Sequence, residues 1–124
     1  MYLFKEDLKS RRYLVDTTTK NESFLRISEM YRQMGIENST FMLSLTQPSL
    51  KGVDPHSKHL TKEQKFRIGY ECKINPWYYF REVLRIPQPG TDGVRFKADR
   101  ANIAFMWSKW NNIDAMLTIP RQIG

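Results

Sequence analysis

The sequence predicts a mainly α chain, a helical region that leads into one short strand near its C-terminal end. Three observations predict it. Phe24, Ile27, Met30, Tyr31 and Met34 recur at helical spacing, and Ile103, Met106, Trp107 and Trp110 repeat the pattern. Between them stand two helix-start signals, Thr61-Lys-Glu-Gln64 and Asn75-Pro76. Ala115-Met-Leu-Thr-Ile119, by contrast, is a compact apolar run of strand length that runs straight into a loop.

Composition bounds what such a chain does. With 124 residues it is at most one domain, large enough for a single core. Its hydrophobic share of 40% and aromatic share of 13% place it among folded chains. A formal charge of +7 suits a polyanionic partner. The one cysteine, Cys72, excludes an internal disulfide framework and a cysteine-only zinc site, and it fits a reducing compartment. No apolar run reaches the roughly 18 residues of a membrane span. Acidic residues also stand where a signal peptide would be apolar, so the expectation is a protein of the cytoplasm with no membrane partner.

Taken in order, residues 1–20 read as a flexible arm, basic at its centre through Lys5, Lys9, Arg11 and Arg12. Residues 21–112 form the helical region. Asn21 is a good cap for a helix over 22–34, and Gly35 supplies a left-handed stop. Thr40-Phe-Met-Leu-Ser-Leu45 fits a short helix and a buried strand equally. Gln47 to His59 reads as loop, punctuated by Pro48, Gly52 and Pro55. It holds His56 and His59, which lack the further ligands a metal site needs, so both are expected to be exposed and no metal site is assigned.

A capping box at Thr61 starts a helix running from Lys62 to about Cys72. In the next helix, Trp77, Phe80, Val83 and Leu84 make an apolar face, with Arg81 and Arg85 one turn apart on another. Pro87-Gln-Pro-Gly90 ends it, and Val94 with Phe96 suggests a brief extended segment. The last helix begins at Asp99 and closes at Asn111-Asn112. Three main helices are therefore expected.

Residues 113–124 are the strand and the opening of a phosphate-binding loop. Such a loop has the form G-x-x-x-x-G-K-[ST] between a strand and a helix. With Gly124 as the second glycine, Ile119 holds the place of the first, and Arg121 lies three residues before Gly124. A strand also needs partners for its backbone N–H and C=O groups. The mostly helical residues upstream supply few, so a parallel α/β sheet is expected from residues beyond these. Half a nucleotide site is the reading, and the chain is expected to be the product of a 5′ exon or of a truncated reading frame.

Three stretches, Glu71 to Pro87, Phe96 to Trp107 and Ile113 to Gly124, resemble the large terminase subunit of tailed bacteriophages. Met34-Gly-Ile-Glu-Asn38 and Val53-Asp-Pro55 fit the same family's N-terminal region. The most specific piece is Pro120-Arg-Gln-Ile-Gly124, since this family carries a deviant phosphate loop with arginine ahead of the glycine-lysine pair. The resemblance implies a helical N-terminal segment leading into the first strand of a P-loop α/β ATPase sheet, in a motor that drives double-stranded DNA into a capsid. It implies ATP and magnesium as the full-length protein's cofactors, with neither held tightly by this fragment. Arg121 is the catalytic arginine expected at the γ-phosphate. Gln122 and Gly124 supply loop backbone near the phosphates, and Arg100 and Asn102 occupy the neighbourhood of the family's adenine contact. The implied partners are double-stranded DNA, the portal protein, the small terminase subunit and the remainder of the terminase chain, in the host cell cytoplasm.

A second reading is a small basic helical nucleic-acid- or partner-binding protein without enzymatic activity. Arg81, Arg85, Lys97, Arg100 and Lys109 would then contact phosphates. Against it, the aromatics sit at core spacing rather than interleaved with basic residues.

Overall fold

The computed structural model describes residues 14–36 and 38–110. The described chain is mainly α, with two small antiparallel strand pairs. The strand and loop expected over 113–124 lie outside the described residues.

Strand β1 (Leu14–Val15) pairs antiparallel with β2 (Ser44–Leu45), Leu14 opposite Leu45 and Val15 opposite Ser44. The Asp16 N–H extends the pairing to the Leu43 carbonyl at 2.8 Å. Asp16 is itself buried, and its Oδ1 accepts from the Thr18 N–H at 3.0 Å and from the Thr18 hydroxyl, closing an Asx turn. Residues 14–20 are thus part of the packed body rather than of a flexible arm, a correction to the expectation for 1–20. Residues 1–13 lie outside the described part.

Helix α1 (Glu22–Gln33) buries Phe24, Ile27 and Tyr31, one face of the predicted period. It stops as predicted. Gly35 adopts φ +77°, its N–H donates to the Arg32 carbonyl, and the Ile36 N–H reaches back to the Tyr31 carbonyl, a Schellman ending. At the other end Asn21 stands in the cap position without capping. Its amide Nδ2 donates instead to the carbonyls of Arg81 and Phe96, each at 3.0 Å, and its Oδ1 accepts from the Ser23 hydroxyl at 2.7 Å. The residue joins three segments of the chain.

The ambiguous stretch 40–45 resolves into both forms, a 3₁₀ turn at Phe41–Leu43 and then β2. A second 3₁₀ turn covers Pro48–Leu50 within the expected loop. Helix α2 (Lys62–Ile74) begins with the predicted capping box. Thr61 Oγ1 accepts from the Gln64 N–H at 3.1 Å, and Gln64 Oε1 accepts from the Thr61 N–H at 2.9 Å.

Helix α3 (Pro76–Tyr78) starts at the predicted Asn75-Pro76 and widens at once into a π turn over Tyr79–Val83. Its five-residue ring is closed by the Leu84 N–H on the Tyr79 carbonyl at 2.9 Å. Next comes a hairpin of β3 (Arg85–Ile86) and β4 (Val94–Arg95), Arg85 opposite Arg95. Helix α4 (Arg100–Trp110) starts on a reciprocal cap, in which Asp99 Oδ1 accepts from the Asn102 N–H at 2.9 Å and Asn102 Oδ1 accepts from the Asp99 N–H at 2.8 Å.

The main core gathers Phe24, Ile27, Tyr31, Phe41, Trp77 and Ile103 from α1, the 3₁₀ turn, α3 and α4. Phe41 and Trp77 meet edge to face, centroids 5.1 Å apart. A second cluster of Leu45, Leu50, Ile68 and Tyr78 seats α2. No helix among the described residues is long and apolar enough to cross a membrane.

Candidate functional surface

Of the residues singled out for nucleotide chemistry, Arg121, Gln122 and Gly124 lie outside the described part. Arg100 and Asn102 stand at the start of α4. Arg100 is exposed; its backbone carbonyl accepts from the Tyr31 hydroxyl at 3.2 Å and its Nη1 lies 3.9 Å from Met34 Sδ. Asn102 commits its side-chain oxygen to the helix cap. Its sequence neighbourhood is thus also the place where α4 is nucleated.

The basic residues proposed for phosphate contact separate sharply. Arg81 is fully buried, contrary to the phosphate-contacting face that the second reading gave it. The physical reason lies in its spacing from Trp77. Residues four apart lie over one another on a helix, and Trp77 is core. Arg81 Nη1 donates to the Met42 carbonyl at 2.9 Å, Nη2 to the Ser44 carbonyl at 3.2 Å, and Nε to Glu82 Oε1 at 3.1 Å. Burial pulls its pKa down, and Glu82 and Asp16 oppose that. Arg81 is a structural cation.

Beside it, Glu71 is also fully buried and accepts from the Thr46 N–H and hydroxyl, Gln47 Nε2 and Asn75 Nδ2. Several donors on this one carboxyl group satisfy its buried oxygens by hydrogen bonds. Lys109 lies at the far end of α4, its ammonium 5.7 Å from the centre of the Phe105 ring. Arg85 turns Nη1 onto the Glu82 and Leu84 carbonyls at 2.9 and 3.2 Å. Its pKa is lowered, first by burial and then by Arg95.

His56 and His59 are both exposed, as expected, and His56 Nε2 lies 2.8 Å from the Val83 carbonyl. Among the described residues no group of His, Cys, Asp and Glu is arranged to hold a metal ion.

Two adjoining concavities share Lys20 and Arg95. The smaller, about 60 Å³, is lined by Asp16, Asp54, Glu82, Arg85 and the Tyr78 ring among others. The Tyr78 hydroxyl is buried and has no hydrogen-bond partner among the described residues. Burial, with Cys72 and Glu82 adding to it, holds the phenol well above its ordinary pKa, so it stays protonated. The larger is an open groove of about 500 Å³ along which Lys20, Arg26, Arg95 and Lys97 converge, with Glu22 the one carboxylate among the described residues of its lining. Only Lys97 among these four cations was singled out from the sequence. Lys20 and Arg26 flank the start of α1, and Arg95 reaches the groove through the hairpin, so no local pattern joins them.

No protein-family model matches the chain, and no curated protein or solved structure matches it either.

Proposed function

We propose that the chain is the N-terminal part of a terminase large subunit, the ATP-driven motor that moves double-stranded viral DNA into a capsid. One observation carries the reading: an apolar run, Ala115 to Ile119, passes directly into Pro120-Arg-Gln-Ile-Gly124. A strand followed by such a loop is where phosphate chemistry is housed, because loop N–H groups and a positive side chain meet the anion there. The packing upstream is compatible with it. The stretches Glu71 to Pro87 and Phe96 to Trp107 both resemble this family, and Trp77 from the first and Ile103 from the second share one core.

In this reading Arg121 stabilises charge on the γ-phosphate, and Gln122 and Gly124 contribute loop backbone. Arg100 and Asn102 lie toward the adenine side. ATP with magnesium would supply the transferable phosphoryl group. The loop lysine and Ser/Thr are not among these 124 residues, so ATP turnover is not expected from them alone. Portal protein, small subunit and duplex DNA are the partners of such a motor, and the host cytoplasm is its place.

The test is the sequence of the mature message across the Gly124 codon. The reading expects the codons for lysine and then serine or threonine to follow. A message in which no copy continues the loop overturns it.

The second reading, a basic binding protein without enzymatic activity, is favoured by the cationic groove. The two separate on whether the polypeptide translated through Gly124 and onward turns over ATP.

A further inference from the structure

We propose that the groove between the start of α1 and β4 is a docking surface for the sugar-phosphate backbone of nucleic acid, contacted by Lys20, Arg26, Arg95 and Lys97. The inference stands on the groove itself and does not need the packaging reading.

All four side chains belong to exposed residues and line one concavity. Among the described residues none of them makes an ion pair, whereas Arg32, Arg67 and Arg81 each hold a glutamate. Arg95 also faces a fifth cation, Arg85, which lines the adjoining concavity. Arg85 and Arg95 stand directly opposite across β3 and β4, a like-charge pairing that costs stability, and Arg95 helps push the Arg85 pKa down. Such an arrangement is relieved when an anion binds.

The form of the groove favours a polymer over a single small anion. It is open, and its cations sit on exposed residues from separate segments, so no tight cage of donors surrounds one phosphate. Partly solvated cations spread along a groove gain little from one ion. Against a polyanion each of them releases a condensed counterion, and the gain accumulates.

The lining also favours phosphates over an acidic peptide. Among the described residues Phe96 is its one large apolar residue, and that ring is engaged with Phe24 and Phe80. Protein partners are held chiefly by buried apolar and aromatic anchors, which the described residues of this groove do not offer. A phosphate backbone needs none.

The experiment titrates the full chain with a short labelled DNA duplex over a series of salt concentrations. The proposal expects log affinity to fall linearly with log salt. The Arg95→Gln/Lys97→Gln variant should lose about tenfold or more in affinity, with the slope shallower by roughly 0.9 per lost contact. The Lys62→Gln/Lys65→Gln variant loses the same charge from exposed positions outside the groove and should bind as the parent does. Matching circular dichroism spectra establish that each variant is folded. Equal losses in both variants would reduce the effect to overall charge and overturn the proposal, as would absence of binding by the parent. Displacement of the duplex by polyglutamate, charge for charge, would overturn the assignment to nucleic acid in favour of an acidic polypeptide.

Discussion

Arg81 Nη2 and Asn75 Nδ2 both donate to one acceptor, the Ser44 carbonyl oxygen, at 3.2 and 2.9 Å. Ser44 is the β2 residue opposite Val15, so this one oxygen ties the first strand pair to the end of α2 and to the π turn. Asn75 carries the connection on to Glu71 at 2.9 Å. The polar network thus joins β2, the end of α2 and the π turn through hydrogen bonds on Ser44, Asn75 and Glu71.

Removing the cation should be costly. In Arg81→Met the apolar stem is kept, while the Met42 carbonyl loses its guanidinium donor and Glu82 its partner. A buried polar group left unmet costs about 1–3 kcal/mol, and we expect a loss of about 3 kcal/mol in total. Urea denaturation measures it; a change within about 0.5 kcal/mol, the size typical of a surface substitution, would show that the network carries no stability.

Thr61→Ala should cost about 1 kcal/mol by removing the acceptor for the Gln64 N–H. The loss is local to the start of α2, so hydrogen exchange should rise in its first turn and leave α1 protected. Uniform acceleration through both helices would contradict this.

Gly93→Ala should destabilise the hairpin. Gly93 holds φ +103°, and an added Cβ would lie 3.0 Å from Arg85 Cβ. The left-handed backbone and the contact together predict a loss of about 1–2 kcal/mol. Gly69→Ala is the control, since a Cβ there meets nothing within 4 Å and the backbone is helical. It should be neutral or stabilising.

Alkaline pH should weaken the fold through two acids of the second cluster. Burial raises the Cys72 thiol above its ordinary 9.0, with Glu71 adding to it, and burial raises the Tyr78 phenol as well. A raised acid favours the folded state while both states stay protonated. Its contribution is therefore whole below the unfolded value and declines as pH rises toward the folded one. Stability should fall above pH 9, the ordinary thiol value, and Cys72→Ala should flatten the first part of that fall. An unchanged slope in the variant would remove Cys72 from the account.

Local features were legible in the sequence, and long-range ones were not. The α1 period, its Gly35 stop, the Thr61–Gln64 box and the Asn75-Pro76 start depend on residues a few positions apart. Asn21 looked like a simple cap because its true partners, the Arg81 and Phe96 carbonyls, are 60 and 75 residues away. Residues 14–20 looked like an arm because the strand that receives Leu14 and Val15 lies beyond α1. Arg81 looked like a phosphate contact because charge outweighed spacing, although Trp77 four residues earlier already marked its face. The groove joins two stretches about 70 residues apart, 20–26 and 95–97, so only Lys97 drew notice.

The proposal that Arg121 serves a packaging ATPase rests on Pro120-Arg-Gln-Ile-Gly124. Its most direct test is DNA-stimulated ATP turnover by the polypeptide translated through Gly124 and onward, compared between the parent and Arg121→Ala. The account predicts turnover in the parent and a fall of roughly 10²-fold or more in the variant, the size expected when a charge-stabilising group is lost from phosphoryl transfer. Equal rates in the two proteins, or no turnover in the parent, would contradict it.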